Sequence, residues 1–191
     1  PSIVEFRDAA PFNRLRFITL FLTLIVLTAI ARGKVEPTSI TQGLTSVGTI
    51  IGNAIDFPFS PVRLIVLMLP YDARPDLIMD VRTAAGMSYL ISLVAMAWFI
   101  VMVRWGRWPI RRGSFNVWVN LPLFDPTAGG DVPFRLQRDA RVNIALGFLL
   151  PFVIPAVVKA TSDLVDPITL ENPQTLIWTI TAWAFLPASM I

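Results

Sequence analysis

The sequence predicts an all-α integral membrane protein with four transmembrane helices, plus interfacial or re-entrant helices between the first and second spans. The first observation is compositional: 54% of the 191 residues are hydrophobic and 15% are charged, against ~45–50% and ~25% in soluble domains. The second is that uncharged apolar runs alternate with charged stretches. At this length we expect a single membrane domain, residues 1–191. Its predicted spans are about 17–31, 83–103, 142–158 and 175–191.

The first apolar run, residues 17–31, is short for a transmembrane helix. As a helix it rises ~22 Å, whereas the hydrocarbon core is ~30 Å thick. It spans if Arg14, Arg16 and Arg32 extend their side chains to the two interfaces. A secretory signal peptide is the alternative, because a basic flank and small residues at the end of the run also fit that pattern. Since the run is present in the chain, we interpret it as the first span.

Residues 33–83 are the ambiguous part of the chain. The stretch 40–55 is moderately apolar and rich in Gly, Ser and Thr, and Gly48 and Gly52 have the spacing that lets two helices approach closely. The stretch 61–70 is bounded by prolines and too short to span. We interpret 40–70 as one or two helices that lie in, or dip into, the interface. The alternative is a full extra span, which would reverse the direction of every later span.

Residues 83–103 form the strongest predicted span, with 21 residues and no charge. Tryptophan and arginine follow the run directly, as is typical of the boundary between hydrocarbon and headgroups. Small residues recur at four-residue spacing along the run. Such a stripe allows a second helix to pack closely. The stripe predicts helix-packing residues at Ala84, Ser88 and Ser92.

The segment 104–141 is a basic loop that determines the predicted topology. It contains seven of the 14 arginines. Such a segment is translocated poorly, so we expect it on the cytoplasmic side or its organellar equivalent. Its arginines and tryptophans are expected to contact lipid headgroups. The residues with this predicted role are Arg104, Trp105, Arg107, Trp108, Arg111, Arg112, Arg135, Arg138 and Arg141.

The run 142–158 is unusual because it contains two prolines. Residues 133–140 resemble a helix start that continues into this run, and Asn143, Gly147, Pro151 and Pro155 follow at strict four-residue spacing. Each proline lacks a backbone N–H and frees a carbonyl one turn earlier, near Gly147 and Pro151. In a membrane these carbonyls need a partner. The stripe therefore predicts helix packing, and the alternative is a broken helix that lines a transport cavity.

An acidic loop at 160–173 precedes the last predicted span, 175–191, which contains Trp178 and Trp183. The acidic loop suits the non-cytoplasmic side. Together with the basic residues near the N-terminus, the pattern predicts N- and C-termini on the cytoplasmic or matrix side. We expect a bacterial inner membrane or an organellar inner membrane.

The sequence lacks cysteine and histidine altogether. This excludes thiol nucleophiles, imidazole bases and metal sites with Cys or His ligands. We therefore predict no catalytic residue, no cofactor and no metal site. We also predict no nucleic-acid partner, because the arginines flank membrane spans and would meet anionic headgroups first.

These features together predict a non-catalytic structural or assembly subunit of a multi-subunit membrane complex, such as a secretion, conjugation or energy-converting machine. Its expected partners are membrane lipids and other subunits. One alternative is a channel or transporter subunit that uses the broken helix from Asn143 to Pro155. That function would require ionisable residues within the spans, and the predicted spans have none. A membrane enzyme is the least favoured interpretation, because its acid–base chemistry would depend on loop carboxylates alone.

Overall fold

The computed structural model describes residues 11–106, 131–161 and 170–191, and these ranges contain helices and no strand. The prediction of an all-α chain is confirmed for this part of the protein. Proline is the first residue of four of the helices, where its missing N–H and fixed φ are tolerated. The helices are α1 (Pro11–Arg32), α2 (Ser39–Ala54), α3 (Pro61–Val66), α4 (Pro75–Gly106), α5 (Val132–Thr161) and α6 (Pro173–Met190).

Three of the described helices are long and apolar enough to cross a membrane. They contain the spans predicted at 17–31, 83–103 and 142–158. The fourth predicted span, 175–191, forms most of α6, which has 18 residues. Its polar first turn and internal threonines lower its mean hydropathy, so it is not among the three and remains a prediction. The three candidate spans are Phe12–Arg32, Pro75–Trp105 and Val132–Ala160.

Two of these helices begin well before the apolar runs that identify them. Helix α4 begins at Pro75 and not at residue 83, with Asp76 in its first turn, where a carboxylate interacts favourably with the helix dipole. Helix α5 begins at Val132, which confirms the prediction that residues 133–140 start the helix of the next span. Both helices thus begin with a charged segment that precedes the apolar segment.

Helix α4 lies at the centre of the fold and contacts α1, α2, α3 and α6, whereas α5 packs against α6 and α3. Apolar side chains from four helices form the core between them. The most deeply buried of these residues are Leu27 of α1, Val62 and Ile65 of α3, Val81 and Ala85 of α4, and Ile180 and Trp183 of α6.

The four long helices alternate in direction along the chain. Arg16, near the start of α1, donates a hydrogen bond to the carbonyl of Ser189, near the end of α6 (2.7 Å). Ser92 of α4 donates to the carbonyl of Ala184 in α6 (3.2 Å). At the opposite end of α1, Lys34 follows the helix and pairs with Asp80 near the start of α4. Gly147 of α5 lies against Pro187 near the end of α6. Pro151, further along α5, accepts a hydrogen bond from Trp183, earlier in α6. Helices α4 and α6 therefore run in one direction, and α1 and α5 run in the other. The start of α1 and the ends of α4 and α6 lie at the same end of the bundle, together with the start of α5.

Candidate functional site

A close backbone contact joins α2 to α4. A Cβ placed on Gly86 would lie 2.5 Å from both Cα and N of Gly52, and one placed on Gly52 would lie 2.5 Å from the carbonyl oxygen of Arg82. A Cβ on Gly48 would lie 2.9 Å from the Thr83 methyl group. Glycine at these positions lets the two backbones approach directly. The structure thus brings Gly48 and Gly52 together with Gly86. The sequence pattern did not predict a packing role for Gly86.

Polar contacts reinforce the same helix pair. The hydroxyl groups of Thr49 and Thr83 lie 3.0 Å apart, across the interface between α2 and α4. Lys34, just after α1, forms an ion pair with Asp80 of α4. These contacts surround the glycine contact and hold α2 and the end of α1 against the first half of α4.

A charged cluster around a buried carboxylate, consisting of Asp56, Arg63 and Arg82, connects three helices. Asp56 follows the end of α2, and its Oδ2 lies 2.8 Å from Nε of Arg82 in α4 and 3.4 Å from Nη1 of Arg63 in α3. The Asp56 side chain is only 8% exposed, compared with 22% for Arg82. Its Oδ1 atom is buried and has no hydrogen-bond donor among the described residues. The carboxylate lies between two guanidinium groups, offsets one of their two positive charges, and is thereby committed to holding the helices together.

The small-residue stripe of Ala84, Ser88 and Ser92 is buried within the chain. Ser92 is the member with a direct polar contact, its hydrogen bond to α6. The Ser88 hydroxyl is buried and has no hydrogen-bond partner in the ranges that the structure describes. At Ser92, therefore, this chain's own helix α6 packs against the stripe.

The proline-rich helix α5 is attached to α6 by an unusual hydrogen bond. Pro155 has no N–H to donate to the Pro151 carbonyl, and the indole Nε1 of Trp183 donates to that oxygen instead, at 3.0 Å. Trp183 is 2% exposed, and its ring stacks on Tyr89 of α4 with centroids 6.3 Å apart. A single side chain thus connects α4, α5 and α6, and it supplies from within the chain a partner for one of the carbonyls that proline frees.

The remaining members of the predicted α5 stripe differ in their surroundings. Pro155 is fully buried. Gly147 is buried against the end of α6, where a Cβ would lie 2.8 Å from the Pro187 carbonyl oxygen. Asn143 is exposed and lies outside this contact. Beyond the stripe, Lys159 donates to the Leu69 carbonyl (3.4 Å). The stripe thus packs within the chain from Gly147 to Pro155.

The described residues of the predicted headgroup-binding set lie at the same end of the bundle. Arg104 and Trp105 are exposed at the end of α4, with Trp105 at 82% exposure. Arg135, Arg138 and Arg141 lie in the first turns of α5, and Arg138 pairs with Asp139 at 3.3 Å. The other four members, Arg107, Trp108, Arg111 and Arg112, lie outside the described residues.

The contacts described above hold the helices against one another. The described residues contain no group of three or more Asp or Glu that could hold a metal ion, and the buried carboxylate of Asp56 is already paired. No protein-family model matches the chain, and comparisons with curated proteins and with solved structures found no match.

The close contact between α2 and α4 predicts that a larger residue at position 52 destabilises the protein. Gly52→Ala should lower the free energy of unfolding by about 1–3 kcal/mol, because the new methyl group would overlap the Arg82 backbone and separate α2 from α4. Gly43→Ala, on the same helix, meets nothing within 4 Å and should be neutral or stabilise by about 0.5–1 kcal/mol. Thermal unfolding in mild detergent measures both. Equal effects from the two substitutions would contradict the close contact.

The Trp183 hydrogen bond makes a second prediction. Trp183→Phe should destabilise the protein by about 1–3 kcal/mol, because the Pro151 carbonyl would be left buried without a donor. Trp178→Phe on the same helix is the control, since Trp178 is 56% exposed. Replacing Pro155 with alanine restores a backbone donor to that carbonyl, so Trp183→Phe should cost less in the Pro155→Ala background. A double-mutant cycle with no coupling between the two positions would show that the hydrogen bond does not hold α5.

Proposed function

We propose that the chain is a non-catalytic structural or assembly subunit of a multi-subunit membrane complex. The observation that supports this proposal is the incomplete covering of α5. In the apolar 18-residue segment of each candidate span, 11% of the residues are buried for Val132–Ala160, compared with 28% for Phe12–Arg32 and 22% for Pro75–Trp105. Helix α5 is therefore the candidate span with the most surface left for lipid or another subunit.

The uncovered surface of α5 has the periodicity of a helix-packing face. Exposed apolar residues lie around much of the helix, including Ile144 and Phe148, and one row of them at three- and four-residue spacing forms a stripe. The apolar run 142–158 is also short for the hydrocarbon core, and neighbouring helices relieve such a mismatch. These two features favour a protein neighbour over lipid alone. The stripe consists of Val142, Leu146, Leu149, Val153 and Val157.

The alternative of a channel or transporter has less support. A broken transport helix presents freed carbonyls to its substrate, but the Pro151 carbonyl accepts a hydrogen bond from Trp183. The runs 83–103 and 142–158 contain no Asp, Glu, Arg, Lys or His, whereas transport pathways through membranes are usually marked by such groups. A membrane enzyme is less supported still, because the buried carboxylate of Asp56 is bound to two arginines.

We further propose four spans with both termini on the cytoplasmic or matrix side of a bacterial or organellar inner membrane. The alternation of helix direction supports this arrangement, since it collects the basic helix ends on one side of the bundle. Arg16, Arg104 and Arg138 lie at that end, together with the exposed Trp105. Basic residues favour the cytoplasmic face, and tryptophan favours the interface. In this arrangement α6 is the fourth span.

The segment of α2 and α3 is proposed to lie at the opposite interface, dipping into it without crossing. Neither helix is among the candidate spans, and α3 has only six residues. Large apolar and aromatic side chains project from this region: Phe57 is 56% exposed and Phe59 is 86% exposed. Tyr71 and Leu67 are exposed nearby. Aromatic residues in such positions are typical of the lipid headgroup region.

The proposed topology is tested by single cysteines, since the natural sequence contains none. Cysteines at Ser39 and Ser162 should react with an impermeant maleimide added from outside intact cells or vesicles, and a cysteine at Ser114 should not. Permeabilisation should make Ser114 reactive, which controls for accessibility. Labelling of Ser39 and Ser114 from the same side would overturn the proposal.

The proposed assembly is tested by a matched pair of alanines, both exposed on candidate spans: Ala145 on α5 and Ala97 on α4. Extracted in mild detergent, the chain should migrate in an assembly much heavier than its own 21.2 kDa. Ala145→Trp should markedly lower the fraction assembled, because the indole would collide with a docked helix. Ala97→Trp should leave that fraction unchanged, because lipid adapts to the new side chain.

Two results would contradict the proposed function. One is a chain that remains monomeric in every mild detergent. The other is a purified monomer that transports a solute by itself in liposomes, which would favour the transporter instead.

A further inference from the structure

A cavity of about 70 Å³ lies between α1, α4 and α6, near the basic end of the bundle. This volume is several times the roughly 10–15 Å³ that a single water molecule needs. Its walls are mainly apolar and aromatic, with Phe12 of α1, Phe99 of α4 and Phe185 of α6 among the lining residues. An apolar cavity of this size favours a hydrocarbon group over water.

The polar groups of the cavity have unequal capacity to bind a ligand. The hydroxyls of Thr19, Ser92 and Ser189 each donate to a backbone carbonyl of this chain, at 2.8, 3.2 and 2.9 Å respectively. They therefore retain acceptor capacity only. The guanidinium of Arg16, in contrast, has five N–H donors, of which one bonds the Ser189 carbonyl at 2.7 Å. Arg16 is therefore the polar lining residue that still has N–H donors for a ligand.

No carboxylate in the described ranges forms an ion pair with Arg16. The residue is exposed at the mouth of the cavity, about 8 Å along the axis from the first residue of α1. Phe99 lies at a similar depth, five residues before Arg104. The cavity therefore combines apolar walls with one guanidinium that no carboxylate of the described residues pairs with.

We propose that this cavity is a binding site for one anionic phospholipid. The lipid phosphate binds the free N–H donors of Arg16, and the first part of one acyl chain lies between Phe12, Phe99 and Phe185. Charge-assisted, often bidentate hydrogen bonds make arginine well suited to phosphate. The site differs from the predicted headgroup residues of the basic loop, because it includes a partly enclosed apolar volume and binds part of an acyl chain as well as the phosphate. It does not depend on the proposed assembly.

The test is native mass spectrometry of the full chain in mild detergent, titrated with phosphatidylglycerol, phosphatidylcholine or inorganic phosphate. The unmodified chain should retain one phosphatidylglycerol in preference to phosphatidylcholine. Arg16→Gln should weaken phosphatidylglycerol binding about tenfold, while Arg16→Lys should retain most of it. Arg104→Gln removes the same charge from the same end of the bundle outside the cavity, and it should have little effect. Ala95→Phe, which fills the cavity, should weaken both lipids.

Four outcomes would overturn the site. They are an unmodified chain with no preference for the anionic lipid, equal losses from Arg16→Gln and Arg104→Gln, unchanged binding in Ala95→Phe, and displacement of the lipid by inorganic phosphate at matched concentration. The last outcome would identify a free-anion site. The first comparison uses the unmodified protein, so the proposal remains falsifiable even if a variant does not fold.

Discussion

The hydrogen bond from the Trp183 indole to the Pro151 carbonyl is the interaction on which the arrangement of the long helices depends. A bilayer offers no water to a freed carbonyl, and burial of apolar side chains gives little drive for association between helices surrounded by lipid. Trp183 satisfies the carbonyl of α5 and stacks on Tyr89 of α4 while belonging to α6. One residue thereby sets how three helices meet.

The other half of the fold is held by contacts of a different kind. Gly52 and Gly86 bring the α2 and α4 backbones together, and Asp56 joins them electrostatically to α3. Replacing Asp56 would leave both arginines without their carboxylate, and replacing Arg82 would leave the buried carboxylate with only the 3.4 Å contact to Arg63. Helix α4 takes part in both halves, which explains why the remaining helices are arranged around it and why α5 is attached mainly through α6.

The sequence predicted the helical class, three of the candidate spans and the carbonyls freed by proline, because these follow from local composition and backbone chemistry. It did not predict that Asp56 contacts Arg82, since these residues are far apart in sequence. It also did not predict that α4 begins at Pro75, because the charged segment 76–82 interrupts the apolar pattern that identified the span. Gly86 could have been noticed as a small residue within the strongest span, but no periodicity identifies Gly52 as its neighbour. The donor to Pro151 was likewise unpredictable, because two tryptophans of α6 were equally eligible.

The proposed role of the protein depends on what covers α5 in the native membrane. Spin labels on single cysteines at Leu149 of α5 and Leu22 of α1, both exposed in the chain, report this through their collision rates with dissolved oxygen. If another subunit docks on α5, the label at 149 should collide several-fold less often than the label at 22 in native membranes. The two should become equal when the purified chain is placed in liposomes. Equal and high collision rates in native membranes would show that lipid alone covers α5 and would contradict a docking role.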